Sequence, residues 1–548
     1  LTRELLLGDE AAAQGAIDAG IGGAFSYPGT PATEIFEHVE AQVERANLDI
    51  CTFWSANEKV AYEEALGMSY AGRRALVSMK HVGLNVAADP FMSSAITGVN
   101  AGMVLIVADD PGMHSSQNEQ DSRFYHDFAQ IPLFEPGSQQ EAYDQVFEAF
   151  DYSEAVKLPV MVRMVTRLCH SRAIVERRSP GANGRKAKTY ARPSPNDWVL
   201  VPSNARPRYE HLLDLQPRLL RDSEESKHNR MMLRGARGII TSGIARNYVD
   251  EVLAGHDEDS RLHIGRYPLP VGLIRAFVDH CDEILIIEEG YPFIERHLCG
   301  LLGIPGKSIR GKLTGDLPRT GELTPDSVAR ALGRPYVGAQ LPLSDLAGRP
   351  PQLCRGCPHA DSFKAMVEAA TGLGDAYMFS DIGCYALGVA PPFRAVHTCV
   401  DMGASISMAH GAAQTGAHPV LCTIGDSTFA HSGMTALLGA AYANANMTVI
   451  ILDNSTVGMT GAQDTLLSGE QLLAAVRGLG VDPEHVFAIE PFPRNHEANV
   501  ELIRREINHR GLSVIVPQRP CIHTKRKGVG RAATLTCGVS CRGTALNT

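Results

Sequence analysis

Val420–Asn454, reading VLCTIGDSTFAHSGMTALLGAAYANANMTVIILDN, decides the fold of this chain. An apolar run ends at Gly425-Asp426-Ser427. Small and apolar residues follow from about Ser432 to Asn446, the composition of a buried helix. A second apolar run ends at Asp453-Asn454. Strand, crossover helix and strand in that order make a parallel pair. Asp426 and Asn454 then sit just past the carboxyl ends of strands, the edge at which open α/β sheets bind ligands. Gly425 permits close backbone approach. The helix N-terminus offers free amides to a diphosphate. The Asp426 carboxylate, the Asn454 amide oxygen and a backbone carbonyl form a hard oxygen set, suited to Mg²⁺ that also holds phosphate oxygens. Taken alone, Gly-Asp-Ser is also an ordinary turn after a strand.

The same alternation runs outward through the chain. GAFSYPG (23–29), RALVSMK (74–80), GMVLIVADD (102–110) and PVMVRMVT (159–166) read as short buried strands. ATEIFEHVEAQVERA (32–46) and ANEKVAYEEALGMSYA (56–71) read as helices between them. This is the pattern of a parallel α/β sheet, and it marks out a first unit at 1–178. Residues 179–235 open with a polar, basic, Pro/Gly-rich stretch and read as a linker or surface excursion. A second α/β unit spans 236–345, with ARGIITSGIARNYVDEVL and DEILIIEEGYPFIERHL each giving a strand and a helix. A third spans 346–520, with strands AYMFSDI, VLCTIGD, TVIILDN and LSVIVPQ. Residues 521–548 lose apolar periodicity, are basic, and read as a tail.

Composition narrows the function classes. The chain has 548 residues, enough for three or four domains, with 44% hydrophobic and 20% charged residues, as in globular proteins. A net charge of −10 argues against nucleic acid as the main partner. No apolar run approaches the roughly 20 residues of a membrane span. The opening LTRELLLGDEAAAQG lacks the long apolar core of a signal peptide, so a cytoplasmic location is expected. The twelve cysteines are then expected to be reduced. Cys354 and Cys357 make one Cys-x-x-Cys pair; a zinc or iron–sulfur site needs two more ligands, and the spacing supplies no obvious ones.

Twenty-six residues separate Ser427 from Asn454. In its strand–helix–strand setting this resembles the thiamine-diphosphate motif, Gly-Asp-x followed by a distant Asn. The resemblance widens with LCRGCPHADSF (353–363), SDIGCYALG (380–388), DMGASISMAHG (401–411), GIITSGIARNYV (238–249) and the opening LLLGDEAAAQGAIDAGIGGAFSYPGTPATEI (5–35). Over roughly 5–520 the chain resembles the large subunit of indolepyruvate:ferredoxin oxidoreductase, in the 2-oxoacid:acceptor oxidoreductase family.

That resemblance implies an α/β protein of several doubly wound parallel-sheet domains. Residues 1–178 would be the pyrimidine-binding thiamine diphosphate domain, 236–345 a transketolase C-terminal-like domain, and 346–520 the pyrophosphate-binding domain. Asp426, Asn454 and the Thr456 carbonyl match the metal ligands. Gly383 and Cys384, Gly403, Ala404 and Ser405, and Gly425 to Ser427 match cofactor-lining positions. Glu58 matches the glutamate that hydrogen-bonds the aminopyrimidine ring, and Thr30 a substrate-facing threonine. A carboxyl group in a dry pocket favours the ring tautomer that takes the cofactor's C2 proton. Glu58 also reads as a helix-start carboxylate favoured by the dipole, and Glu63 and Glu64 are its surface-facing rivals. His359 and His431 are candidates to face substrate, and equally read as satisfied structural groups. His81 and His114 follow strand-like segments and are candidates by position alone.

The implied activity is oxidative decarboxylation of a 2-oxoacid, an aryl- or alkyl-pyruvate, to acyl-CoA, with electrons passed to a ferredoxin-like acceptor. The implied partners are a smaller gamma-type subunit and a ferredoxin or other electron-carrier subunit, in a dimer of heterodimers. The family pattern also ends in a ferredoxin-like domain with clustered cysteines. After residue 520 this chain has only Cys521, Cys537 and Cys541. The expectation is therefore that iron–sulfur clusters sit on a partner subunit. The alternative is a non-oxidative thiamine-diphosphate-dependent decarboxylase or lyase. A non-catalytic scaffold is disfavoured by the joint presence of Glu58, Asp426 and Asn454. MTGAQDT (459–465) departs from the family's more usual Met-Thr-Gly-His-Gln.

Overall fold

The apolar runs become strands because they are short, rich in β-branched residues and covered on both faces. The computed structural model describes residues 2–178, 198–256, 258–335, 351–373 and 376–524. The chain divides into two compact units, Leu1–Leu346 and Ala347–Thr548.

In the first unit the strands are β1 (Thr2–Leu7), β2 (Gly23–Ser26), β3 (Cys51–Trp54), β4 (Ala75–Lys80), β5 (Met103–Asp109), β6 (Leu133–Phe134), β7 (Val160–Val165), β8 (Arg172–Arg177), β9 (Arg230–Met232), β10 (Arg237–Ser242), β11 (Ser260–Ile264), β12 (Arg266–Tyr267), β13 (Glu283–Ile287) and β14 (Ser308–Arg310). A seven-stranded sheet has the order β12-β6-β7-β5-β4-β2-β3. It is parallel except where β12 meets β6, and Val77 lies opposite both Phe25 and Leu105. Successive residues of β5 enter different cores. Val104 and Ile106 join Ala11, Phe36 and Val162 on one face, and Leu105 and Val107 join Tyr62, Phe91 and Met161 on the other. Period-two alternation into two apolar layers is the mark of a doubly wound sheet. The helix Gly8–Asp18 lies so close to Gln139–Val156 that a Cβ on Gly15 would fall 2.4 Å from the Tyr143 carbonyl oxygen. β1 and β8 form a separate antiparallel ribbon.

A five-stranded sheet in the order β14-β13-β10-β11-β9 completes this unit. The two sheets are stitched together. β12, from the second stretch, is the edge strand of the first sheet, with Tyr267 opposite Leu133. Arg123 and Arg163, both fully buried, bridge the stretches. Arg123 donates to Asp121 and, at 2.7 Å, to Glu288; Arg163 donates to Asp109 at 2.6 Å and to the Glu289 carbonyl at 3.2 Å.

The stretch 179–235, read from composition as a linker or excursion, carries more structure than that reading implies. Its residues 179–197 lie outside the described residues. Pro202–Glu224 is a helix that buries Leu212 and Leu219, and β9 follows it. Pro202 opens the helix where its missing N–H costs nothing. Pro207 and Pro217 lie inside it and, with its exposed charged face, disguise it in the sequence.

In the second unit β15 (Tyr377–Ser380), β16 (Val420–Gly425), β17 (Met447–Leu452), β18 (Val486–Ile489) and β19 (Leu512–Pro517) form an all-parallel sheet in the order β15-β16-β17-β19-β18. The crossover helix starts earlier than its composition suggested. It begins at Asp426, directly after Gly425, widens into a π turn at Phe429–Gly433, and continues as Met434–Tyr442. Gly433 allows the wide turn, since a Cβ there would meet Ile424 at 2.7 Å. The tail from residue 525 on, with Cys537 and Cys541, lies outside the described residues. Among the described residues no helix is long and apolar enough to cross a membrane.

Candidate functional site

Three neighbouring strands of the second unit deliver the site at their carboxyl ends. Past β16, Asp426 is buried, and its two carboxylate oxygens accept the backbone N–H groups of Ser427 at 2.7 Å and Ser455 at 2.8 Å. Past β17, Asn454 is buried and its Oδ1 accepts the Thr456 N–H at 3.3 Å. That bond orients the amide, so Nδ2 faces His359 Nε2 at 3.3 Å. Burial, with Arg519 nearby, holds the His359 imidazole down to about 4, so the ring is neutral and Nε2 accepts. Ser455 has φ +58°, a left-handed conformation that costs a serine energy and turns the chain back towards Asp426.

This arrangement fits a divalent cation. Burial pushes the Asp426 carboxyl well up, and the adjacent Asp453 carboxylate adds to the shift. Two buried acids side by side favour a bound positive charge. Each Asp426 oxygen uses one lone pair on a backbone amide and keeps another for a metal. Asn454 Oδ1, which accepts the Thr456 N–H, is a further hard oxygen on the turn tied to Asp426, and the Thr456 carbonyl belongs to the same turn.

A second layer holds this turn in place, and the sequence reading missed its centre, Asp381. Fully buried after β15, Asp381 accepts the N–H groups of Gly403 at 2.8 Å and Ser405 at 3.0 Å, capping the helix Ala404–Gln414. Its carboxyl is raised by burial, against the pull of these amides. Gly403 is required twice over: its φ is +92°, and a Cβ would lie 2.4 Å from that of Ser432. Tyr385 lies against Gly425 and donates to the Ile382 carbonyl at 2.9 Å. His431 is buried within the π turn, with Nδ1 at 2.5 Å from Ser432 Oγ.

Cys384 has company that its sequence position did not reveal. Its thiol is pushed up to about 12, first by burial and then by the thiols of Cys357, Cys521 and Cys354. The Cys357 thiol is likewise raised by burial, with Cys354 and Cys521 beside it. The Cys357 N–H donates to the Cys354 carbonyl at 3.0 Å, and the Cys521 N–H to the Asn454 carbonyl at 3.0 Å. The spacing offered no obvious further ligands for Cys354 and Cys357, and the fold brings Cys384 and Cys521 within electrostatic reach of them. Cys384 follows β15 and Cys521 follows β19, so the sheet gathers what the sequence scatters. Among the described residues only Asp9, Glu34 and His170 bring three ligand atoms within 4.8 Å of one another. The four thiols are thus spread more widely than a tetrahedral zinc site, whose sulfurs lie about 3.8 Å apart.

In the first unit Glu58 and Thr30 also follow strand ends, after β3 and β2. Asn57 caps the helix Glu58–Tyr70 through the Val60 N–H. The buried Glu58 carboxyl packs against Gly83, where a Cβ would lie 2.6 Å from Oε1. Lys80, at the end of β4, is buried and donates to the Ser115 carbonyl at 3.1 Å. Burial lowers it to about 8, opposed by the carboxylates of Asp110 and Glu58. The Ser115 hydroxyl donates to the Thr30 carbonyl at 3.0 Å. Glu63 is exposed and pairs with Lys59, whereas Glu64 accepts from Ser55 at 2.5 Å. His81 is buried with Nε2 at 3.1 Å from the Asn118 carbonyl, and His114 is exposed beside Glu322.

Comparison with known proteins assigns both halves. Residues 14–213 match the pyruvate flavodoxin/ferredoxin oxidoreductase thiamine-diphosphate-binding domain, and 381–515 the C-terminal binding domain of thiamine pyrophosphate enzymes. The indolepyruvate oxidoreductase subunit IorA of Archaeoglobus fulgidus is 39% identical over 94% of this chain and 86% of its own length. That of Methanothermobacter thermautotrophicus is 37% identical over the same shares. Among solved structures, a 2-oxoglutarate:ferredoxin oxidoreductase from Magnetococcus marinus aligns over 60% of this chain and 65% of its own, with TM-score 0.49 and 16% identity. With matches to two thiamine-diphosphate-binding modules and to relatives over 86% of their length, the chain belongs to the IorA family of indolepyruvate oxidoreductase subunits.

Proposed function

We propose that this subunit binds thiamine diphosphate with Mg²⁺ and oxidatively decarboxylates an arylpyruvate of the indolepyruvate type, yielding acyl-CoA and reduced ferredoxin. The Asp426–Ser455–Asn454 turn carries the reading, because it ties a buried carboxylate and an amide oxygen to a helix N-terminus at one sheet edge. When bound, the cofactor supplies the nucleophilic carbon and the electron sink for decarboxylation. Asp426, Asn454 and the Thr456 carbonyl would hold its metal, and Gly425 to Ser427, Gly383 and Gly403 to Ser405 would line its diphosphate end. Glu58 would hold a proton at the aminopyrimidine, and Thr30 would face the substrate. His359, neutral and fixed through Asn454, orients that amide without adding charge.

The cysteines favour electron transfer over the non-oxidative alternative. Cys354, Cys357, Cys384 and Cys521 offer four thiols, the ligand count of one [4Fe–4S] cluster once deprotonated. Such a cluster would be the first electron acceptor, with others on an electron-carrier subunit. A smaller gamma-type subunit, in a dimer of heterodimers, completes the proposal.

The test is cofactor and iron content of the native complex, with indolepyruvate- and CoA-dependent ferredoxin reduction. Thiamine diphosphate, Mg²⁺, iron and ferredoxin reduction are expected. Thiamine diphosphate without iron, and aldehyde as product, would overturn the oxidative reading in favour of a lyase.

A further inference from the structure

Away from the groups considered so far, a second cluster of ligating side chains lies in the first unit. Asp9 stands in the first turn of the helix Gly8–Asp18, after β1. Glu34 stands in the first turn of the helix Thr33–Ala46, which follows the Thr30 loop. His170 ends the short helix Thr166–His170, after β7. One ligand atom from each lies within 4.8 Å of the other two, and His170 Nε2 is 3.7 Å from Glu34 Oε2.

Asp9 makes this more than an acidic cluster. Its side chain is 0% exposed, and neither carboxylate oxygen has a hydrogen-bond partner of normal geometry. The Cys169 thiol beside it is a weak donor. A fully buried carboxylate without donors is expensive unless it is protonated or binds a cation. Glu34 and His170 are partly exposed, which leaves a route from solvent.

We propose that Asp9, Glu34 and His170 bind a first-row divalent cation of the Mn²⁺-to-Zn²⁺ series. Two carboxylates and one imidazole form a mixed oxygen–nitrogen set, which suits those ions better than Mg²⁺ or Ca²⁺. Metal–ligand distances of about 2.0–2.2 Å need only a small contraction of the three side chains. Water would fill the positions on the open side. The cation would clasp the starts of two helices to the end of a third, and so brace the loop carrying Thr30. The competing arrangement is a His170–Glu34 ion pair with Asp9 protonated behind it. Burial supports that state by raising the Asp9 carboxyl to about 8.

The experiment is Mn²⁺ binding to the complex loaded with thiamine diphosphate, combined with anomalous diffraction at the manganese edge. An anomalous peak bonded to all three residues is expected. Asp9→Asn and His170→Ala should each weaken binding at that site at least tenfold, with Mn²⁺ at the diphosphate site unaffected. Absence of the peak at saturating Mn²⁺, or affinity within twofold of wild type in both variants, would overturn the site. His170 is exposed, so its variant tests the proposal even if Asp9→Asn fails to fold.

Discussion

The backbone N–H of Ser455 donates to the Asp426 carboxylate at 2.8 Å, so the turn after β17 is tied to the first residue after β16. Asp426 is thereby both a metal-ligand candidate and the anchor of its neighbour's loop. Asp426→Ala should weaken Mg²⁺-dependent thiamine diphosphate binding by about 10²-fold or more, read by calorimetric titration. Unchanged cofactor retention would refute the metal assignment.

Glu58 offers a cleaner separation of binding from chemistry. Glu58→Gln should keep cofactor affinity and lower turnover about 10²- to 10⁴-fold. Gly83→Ala should imitate it, because the added methyl would fall 2.6 Å from Glu58 Oε1 and displace the carboxyl group. Near-normal activity in Glu58→Gln would sink the proton-holding role.

The four cysteines predict a different loss. Cys357→Ser and Cys521→Ser should each lower iron content and abolish ferredoxin reduction while thiamine diphosphate stays bound. Iron analysis beside cofactor analysis decides this, and full iron retention in both variants would remove the cluster from this subunit.

A buried histidine in the first unit predicts a loss of stability in acid. His126 is buried against Tyr267 and Phe293, its Nδ1–H donates to the Ile131 carbonyl at 3.0 Å, and burial lowers it to about 4. The folded value lies below that of the unfolded chain, so the unfolded state binds the proton more readily. Stability from this group is intact above about pH 6.5 and falls as the pH drops towards 4, by at most about 3 kcal/mol. His126→Phe should flatten that part of the pH–melting profile, and an unaltered slope would show that another group is responsible.

Much of this was legible before the structure. Apolar runs bounded by Gly and Asp gave β4, β5, β16 and β17, because fully buried parallel strands have little choice of composition. Gly425, Asp426 and Asn454 were readable because a strand end fixes where they must lie. Asp381 was not, since its task is to accept two amides from a helix whose start lies over twenty residues away in sequence. The partners of Cys354 and Cys357 were hidden similarly: Cys384 and Cys521 reach them only through the lateral order of strands, which spacing does not encode. The helix Pro202–Glu224 escaped because internal prolines outweighed its two buried leucines.

The edge strand β12 has a consequence for how such a protein can change. A module that lends its neighbour a strand, and shares buried arginines with it, cannot be exchanged alone by recombination. The donor would leave Leu133 and Phe134 without their cover, and Arg123 would be separated from Glu288 inside the protein. The first two stretches should therefore be inherited and reshuffled as one block, with crossovers tolerated only at its outer boundaries.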